Sequence, residues 1–138
     1  MSWKDKMKEF GGGDIAFLSD DGESITFMIV GEPELLIGEF KGKESRKVGC
    51  PVVTEDGLII LIVGMRLARK IAKQEGSYNY RVFMAVRRGV AGDANATYEL
   101  KSLDDTDLAL KLMDITKRDV TPETIAAAFA DARAVVEK

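Results

Sequence analysis

The sequence predicts a mainly β domain of the α+β class, on three observations. Several segments in the first hundred residues alternate apolar and polar side chains, as strands of a sheet do. One segment between them, residues 64–75, instead has the spacing of three and four that is typical of a helix. The last third of the chain is helical again, and Thr121 and Pro122 have the residue types preferred at a helix cap and first position.

The predicted strands follow one another at short intervals. Asp21-Gly22 and Asp56-Gly57 mark turns, and Pro51 makes its segment an edge strand or an irregular one. The segment LIILIV is apolar on both faces and is predicted to be a buried strand. The strand segments are residues 24–30, 34–42, 48–53, 58–63, 78–88 and 97–103, with a basic loop at 41–47.

The helix at 64–75 has one apolar face and one basic face. The basic face holds Arg66, Arg69, Lys70 and Lys73. We expect a solvated face that pairs with Glu32, Glu34 or Glu39, and contact with phosphates is the alternative.

Three or more strands, a helix and two further strands occur in the order of an OB-fold, a five-stranded Greek-key barrel. The helix then lies between the third and fourth strands of the barrel. A generic α+β domain with a four-stranded antiparallel sheet is the alternative. The predicted organisation is an N-terminal arm at 1–13, the OB core at 14–103, and C-terminal helices at 104–138 that pack on the core or serve association.

Charge is unevenly distributed along the chain, although the net charge is only −3. Residues 11–40 contain seven acids and no base, whereas residues 41–90 contain eleven bases and four acids, a net charge of +7. Residues 91–138 are acidic again. This asymmetry indicates either an anionic partner or internal charge pairing, and the sequence does not decide between them.

The composition excludes several kinds of site. Among 138 residues there is one cysteine, Cys50, and no histidine, so an internal disulfide and a zinc site of Cys and His are both excluded. A nucleophile activated by histidine is excluded too. Asp104, Asp105 and Asp107 have the chemistry to hold Mg²⁺ in a nuclease, but acids at a helix start stabilise its dipole. We therefore expect no catalysis, no metal and no cofactor.

The longest apolar run, LIILIV at 58–63, is too short to span a bilayer. The first ten residues are charged and lack the apolar core of a secretory signal. We expect a cytoplasmic protein without membrane contact, in the host-cell cytoplasm if the chain is viral.

The strand at 78–89 carries the principal candidate site. One face of its alternation is apolar and predicted to be core, whereas the other holds Phe83 between Arg81 and Arg87. Binders of single-stranded nucleic acid combine aromatic faces for base stacking with cations that follow the phosphates. We predict such a site at Phe83, Arg81, Arg87 and Arg88. The alternative is that Phe83 packs beneath the C-terminal helices while the arginines pair with acids.

The basic loop supplies a second group of cations. These cations follow Phe40, the aromatic residue that ends the preceding strand. We predict that they clamp a phosphate backbone. A solvated surface loop is the alternative. Tyr98 is expected to face the core, with an extension of the stacking surface as the alternative. The predicted members of the clamp are Phe40, Lys41, Lys43, Arg46 and Lys47.

Short motifs within residues 14–103 resemble the single-stranded DNA-binding proteins of bacteriophages that have an OB core, distant relatives of the T-even phage helix-destabilising protein. These motifs are DGESITFMIVGEP at 21–33, VGCP at 48–51, the charged helix, RRG at 87–89 and TYEL at 97–100. Relatives of this type can carry a Cys/His zinc site beside the Cys-Pro pair, and here only Cys50-Pro51 remains. The resemblance implies a non-enzymatic protein that binds single-stranded DNA largely without sequence preference. Its role would lie in phage DNA replication or recombination, where it recruits partner proteins.

Two other functions remain open at this point. One is a protein-interaction or assembly module, a phage accessory factor whose charged halves meet between subunits and which does not bind nucleic acid. The other is a carboxylate-dependent nuclease. The preference for DNA or RNA and the formation of a homo-oligomer also stay open, because no residue pattern reports on them.

Overall fold

The computed structural model describes residues 15–18, 20–40, 42–93 and 95–137, with only the backbone described for Phe40. This part of the chain forms seven strands and three α-helices. The strands are β1 (Ile15–Phe17), β2 (Ser24–Ile29), β3 (Glu34–Phe40), β4 (Lys43–Thr54), β5 (Gly57–Val63), β6 (Val82–Arg88) and β7 (Thr97–Leu103). The helices are α1 (Met65–Ala72), α2 (Thr106–Asp119) and α3 (Pro122–Val136), and a 3₁₀ turn spans Glu75–Ser77.

All seven strands belong to one sheet. Its order is β1-β5-β4-β2-β6-β7, and β3 pairs with the first half of β4. Neighbouring strands are antiparallel except β1 and β5, which are parallel. Among the described residues β7 pairs only with β6, so the sheet is open. The predicted α+β class is confirmed as a mixed fold of one open sheet and three helices.

Strand β4 is longer than the sequence predicts. Residues 43–47, predicted to be a loop, instead pair with β3 in a hairpin that extends from Glu34↔Gly49 to Phe40↔Lys43. Gly42, with φ +76°, supplies the left-handed residue that this tight turn needs. Pro51 was predicted to lie in an edge or irregular strand, but it lies in the central β4. It falls where the partner on one edge changes from β3 to β2.

Helix α1 covers one face of the sheet. Its Leu67 and Ile71 pack into an apolar cluster whose buried members are alternate residues from four strands and Leu18, which follows β1. The predicted helix between two strands is therefore confirmed, with its apolar face turned inward. The buried members of this cluster are Leu18, Phe27, Cys50, Val52, Leu61, Val63, Leu67, Ile71, Phe83 and Ala85.

The C-terminal helices cover the opposite face. Phe129 and Ala132 of α3 pack on Ile60 and Ile62, which explains why β5 is apolar on both faces. Helix α2 lies on the same face, against β2, β4, β5 and β6. The buried residues of the cluster at α2 are Met28, Val53, Val82, Leu112 and Ile115. The two faces are thus buried by helices distant from each other in sequence.

Both C-terminal helices begin with side-chain caps. The carboxylate of Asp105 accepts a hydrogen bond from the Leu108 amide at 3.0 Å. Thr121 accepts from the Thr124 amide in a capping box, with Pro122 at the first helical position as the sequence predicts. No described helix combines the length and the apolar character needed to cross a membrane.

Candidate nucleic-acid interface

The side chain of Phe83 is buried, and the prediction that it faces solvent is wrong. Only 1% of its surface is exposed. Its ring lies 6.2 Å from that of Phe27 and makes an edge contact with Tyr78 at 6.1 Å between centroids. Strand β6 is covered on both faces, by α1 on one side and α2 on the other. Phe83 therefore has no face on which a base can stack.

Arg87 is also buried, with 8% of its surface exposed, whereas the sequence analysis predicted it on the solvent-exposed face of the strand. Its Nε donates to the Gly89 carbonyl at 3.0 Å, and Nη2 donates to the Val90 carbonyl at 2.8 Å. Nη1 donates to the Tyr98 hydroxyl at 2.8 Å. These partners are neutral, and no described carboxylate lies within 4.0 Å of the Arg87 guanidinium.

Arg81 and Arg88 are exposed as predicted, but each contacts an acid. Arg81 Nη1 lies 3.5 Å from Asp104 Oδ1 and donates to the Ser102 hydroxyl at 3.1 Å. Arg88 Nη2 lies 3.3 Å from Glu99 Oε2. Exposed pairs of this kind contribute little free energy, so they do not hold these arginines firmly.

The predicted clamp forms the β3–β4 hairpin and not a loop. Lys41 and the side chain of Phe40 lie outside the described residues. Lys43 stands opposite Phe40 at the turn, and Arg46 Nη2 lies 3.8 Å from Glu44 Oε2 on the exposed surface. Lys47, in contrast, is half-buried and reaches a cleft at the end of β5.

This cleft is the strongest candidate site among the described residues. It has a volume of about 620 Å³ and lies between β1, the start of α1 and the β6–β7 connection. We call it the basic cleft. The residues that give it its chemistry are the cations Lys47, Arg66 and Arg87, the rings of Phe17 and Tyr98, and Asp93.

The order of the strands explains why these side chains meet. Phe17 stands opposite Ile62 near the end of β5, and Lys47 precedes Val48, which pairs with Val63. The chain then passes through Gly64 into α1, which brings Arg66 to the same place. Arg87 and Tyr98 face each other across β6 and β7 and form the far wall.

The electrostatics of the basic cleft favour an anion. Three cations face one carboxylate, and Asp93 already accepts a hydrogen bond from the Asn95 amide at 2.9 Å. Helix α1 adds its free amide groups, because Gly64 offers no capping side chain and the first turn has no acid. Arg66 donates to the Ala96 carbonyl at 3.3 Å and keeps further N–H groups for a ligand.

A comparison of all eight arginines supports this assignment. Five of them lie within 4.0 Å of a carboxylate of the described residues: Arg46, Arg81, Arg88, Arg118 and Arg133. The other three, Arg66, Arg69 and Arg87, have no such partner within the described ranges. Arg66 and Arg87 line the basic cleft, and Arg69 lines an apolar pocket beside it that shares Met65 with the cleft.

Sequence reasoning identified Lys47 and Arg87, gave Tyr98 a stacking role only as an alternative, and missed Phe17. Tyr98 was expected to face the core, and it does pack against the α1 cluster while also lining the cleft. Phe17, with 44% of its surface exposed, was overlooked in a short apolar segment. The sequence does contain a signal for Tyr98. This aromatic residue begins the strand after an arginine-rich strand, so a hairpin of the two strands brings it next to the arginines.

The aspartates at the start of α2 have a structural role. Asp105 caps the helix and Asp104 contacts Arg81. Within the described ranges, His, Cys, Asp and Glu form no group of three suited to a metal ion. Burial raises the pKa of the Cys50 thiol to about 11, so this thiol is a poor nucleophile at neutral pH.

The chain matches no protein-family model. A significant match is also lacking among curated proteins and among solved structures.

Proposed function

We propose that this protein binds single-stranded DNA without sequence preference and without catalysing a reaction, and that the basic cleft is the primary contact. The observation that carries the proposal is the convergence of Lys47, Arg66 and Arg87 on one cleft. Asp93 is the one described carboxylate that lines it, and no described carboxylate lies within 4.0 Å of these cations. Phosphates supply the missing negative charge and release their counterions on binding.

The rings in the cleft favour unpaired bases over a duplex. Phe17 is nearly half exposed, and Tyr98 is half-buried at the cleft wall, with the Arg87 guanidinium over its ring. A base stacks on such a ring only when it is not already stacked and paired within a helix, and one stack contributes about 1–3 kcal/mol. Single-strand binding therefore explains the presence of rings, whereas binding of a free inorganic anion does not.

Strand connectivity adds support from the fold. Five strands, β2, β4, β5, β6 and β7, pair in the order β5-β4-β2-β6-β7 with α1 between the third and fourth of them. We infer an OB-type core that is not closed by strand pairing, with β1 added to the free edge of β5. Oligonucleotides on OB-folds contact the face of the second and third strands and the loops that follow strands one and four. In this chain α3 covers that face, so the proposal uses the loop regions: Lys47 of the β3–β4 hairpin and the β6–β7 connection.

Fluorescence anisotropy tests the proposal. Labelled oligo-dT and a duplex of equal length are titrated at two salt concentrations, with and without a chelator. We expect tighter binding of oligo-dT, an affinity that falls with salt, and no effect of chelation. Phe17→Ala should weaken oligo-dT binding by about 5- to 160-fold, the equivalent of one stack. Leu110→Ala, which truncates another exposed apolar side chain, is the matched control. Equal affinity for duplex and single strand would contradict the proposal.

A protein-interaction module is the second candidate function. Leu35 and Ile37 lie on one face of β3 with 47% and 41% of their surfaces exposed, and exposed apolar patches often mark protein interfaces. This candidate predicts no affinity for oligo-dT and a stable oligomer that Leu35→Ser disrupts. Sedimentation velocity beside the anisotropy titration distinguishes the two functions.

A further inference from the structure

We propose that the basic face of α1 is a second part of the DNA-binding surface, along which a strand leaving the basic cleft continues. This face consists of Arg66, Arg69, Lys70 and Lys73, the last residue being the helix C-cap. The inference rests on the proposed function and extends it, because the cleft alone contains only Arg66 of the four.

The charged side chains of α1 destabilise the helix in two ways. Arg66 and Lys70 are four residues apart, as are Arg69 and Lys73, and like charges at this spacing repel each other. Arg66 also lies in the first turn, where a cation opposes the helix dipole and an acid would stabilise it. The first turn contains no acid. An anionic partner removes both penalties at once.

The acids expected to neutralise this face do not do so. The sequence suggested Glu32, Glu34 or Glu39 as partners, but Glu34 pairs with Arg133 of α3. Across the described ranges, no carboxylate lies within 4.0 Å of any cation on α1. The other exposed arginines all have such partners, whereas both arginines of this face lack one.

The basic face is continuous with the basic cleft. Arg66 lines the cleft wall, Lys70 lies one helical turn further on, and Lys73 lies almost another turn beyond it. The eight residues of α1 extend over about 12 Å, so the cations form a row that starts at the cleft. A polyanion held in the cleft by Lys47 and Arg66 can thus follow the helix, whereas a single phosphate cannot occupy both regions.

The salt dependence of binding tests this inference, because for single strands the slope of log K against log salt is about −0.7 per neutralised phosphate. Lys70→Gln/Lys73→Gln should reduce the slope by about 1.4. Between 50 and 200 mM salt, the wild type should then lose about sevenfold more affinity for oligo-dT than this variant. Lys111→Gln/Lys117→Gln, on α2 at the opposite face of the sheet, removes the same charge and should leave the slope unchanged.

Thermal unfolding verifies that both double variants fold, which is expected because all four lysines are exposed. An unchanged slope in Lys70→Gln/Lys73→Gln, with a wild type that binds oligo-dT, would overturn the inference and leave the proposed function intact. Equal reductions in both double variants would also overturn it, since the effect would then reflect net charge. A wild type without affinity for oligo-dT would overturn both proposals.

Discussion

The guanidinium of Arg87 lies over the ring of Tyr98, with its Cζ 5.7 Å from the ring centroid, and also donates to the Tyr98 hydroxyl at 2.8 Å. The two residues face each other across β6 and β7. Two further hydrogen bonds from Arg87 hold the carbonyls of Gly89 and Val90. A buried cation thereby fixes both a ring and the start of the connection that walls the basic cleft.

Loss of the Tyr98 hydroxyl should destabilise this arrangement. In Tyr98→Phe, one N–H of the buried Arg87 loses its partner, which costs about 1–3 kcal/mol. Urea unfolding measures this difference, with Tyr80→Phe as a control because Tyr80 is exposed. Equal stability of the two variants would show that the hydroxyl contact contributes nothing.

Phe83 should affect stability and not DNA binding. Phe83→Ala leaves a cavity between Phe27 and Tyr78 and should lower the free energy of unfolding by about 3–5 kcal/mol. The milder Phe83→Leu should fold and bind oligo-dT with the affinity of the wild type. A specific loss of affinity in a folded Phe83→Leu protein would contradict the burial of this ring.

Gly38 is required where the end of α3 approaches β3. A Cβ atom at this position would lie 2.1 Å from the Val136 carbonyl oxygen, so Gly38→Ala must displace the helix end. Overpacking of this kind costs about 1–3 kcal/mol. Gly76→Ala, where the Cβ meets open space, should have little effect in the same denaturation experiment. If the two variants were equally stable, the close approach of α3 to β3 would be excluded.

The Cys50 thiol should be unreactive in the folded protein. Burial raises its pKa from 9.0 to about 11, so at pH 8 the native protein should react slowly with Ellman's reagent and the unfolded protein rapidly. Because the folded pKa exceeds the unfolded one, this group's contribution to stability is present below pH 9 and is lost as pH rises towards about 11. Cys50→Ala should lack that part of the pH dependence. Native reactivity equal to that in urea would contradict the burial of the thiol.

The sequence predicted the local structure of β6 well but not the environment of its faces. Alternation alone assigned Phe83 to a solvent-exposed face. Arg81 and Arg87 lie at even spacings from Phe83, and residues at even spacing point to the same face of a strand. The helices that cover both faces, α1 and α2, are separate segments of the chain, and a periodic pattern contains no information about such distant contacts. Arg81 escapes burial because it precedes β6, whereas Arg87 is buried by the connection that follows.

The candidate site was predictable in part. Lys47 and Arg87 were identified from cation-rich segments, although their meeting at one cleft depends on the pairing of β4 with β5 and of β6 with β7. The segment 43–47 was predicted to be a loop because it is highly charged. It forms a strand since a hairpin with an exposed face tolerates charged side chains. Phe17 gave no signal of its own, because its exposure follows from a position at the edge of the sheet.

The most direct test of the proposed function removes two cations of the basic cleft. It measures the affinity of the variant Lys47→Gln/Arg66→Gln for labelled oligo-dT. At 100 mM salt we expect this variant to bind about tenfold more weakly than the wild type or worse. Lys111→Gln/Lys117→Gln, which removes the same charge from α2, should bind within about twofold of the wild type, because exposed cations away from the site contribute little. Equal affinities of the two double variants would contradict a DNA-binding role for the cleft.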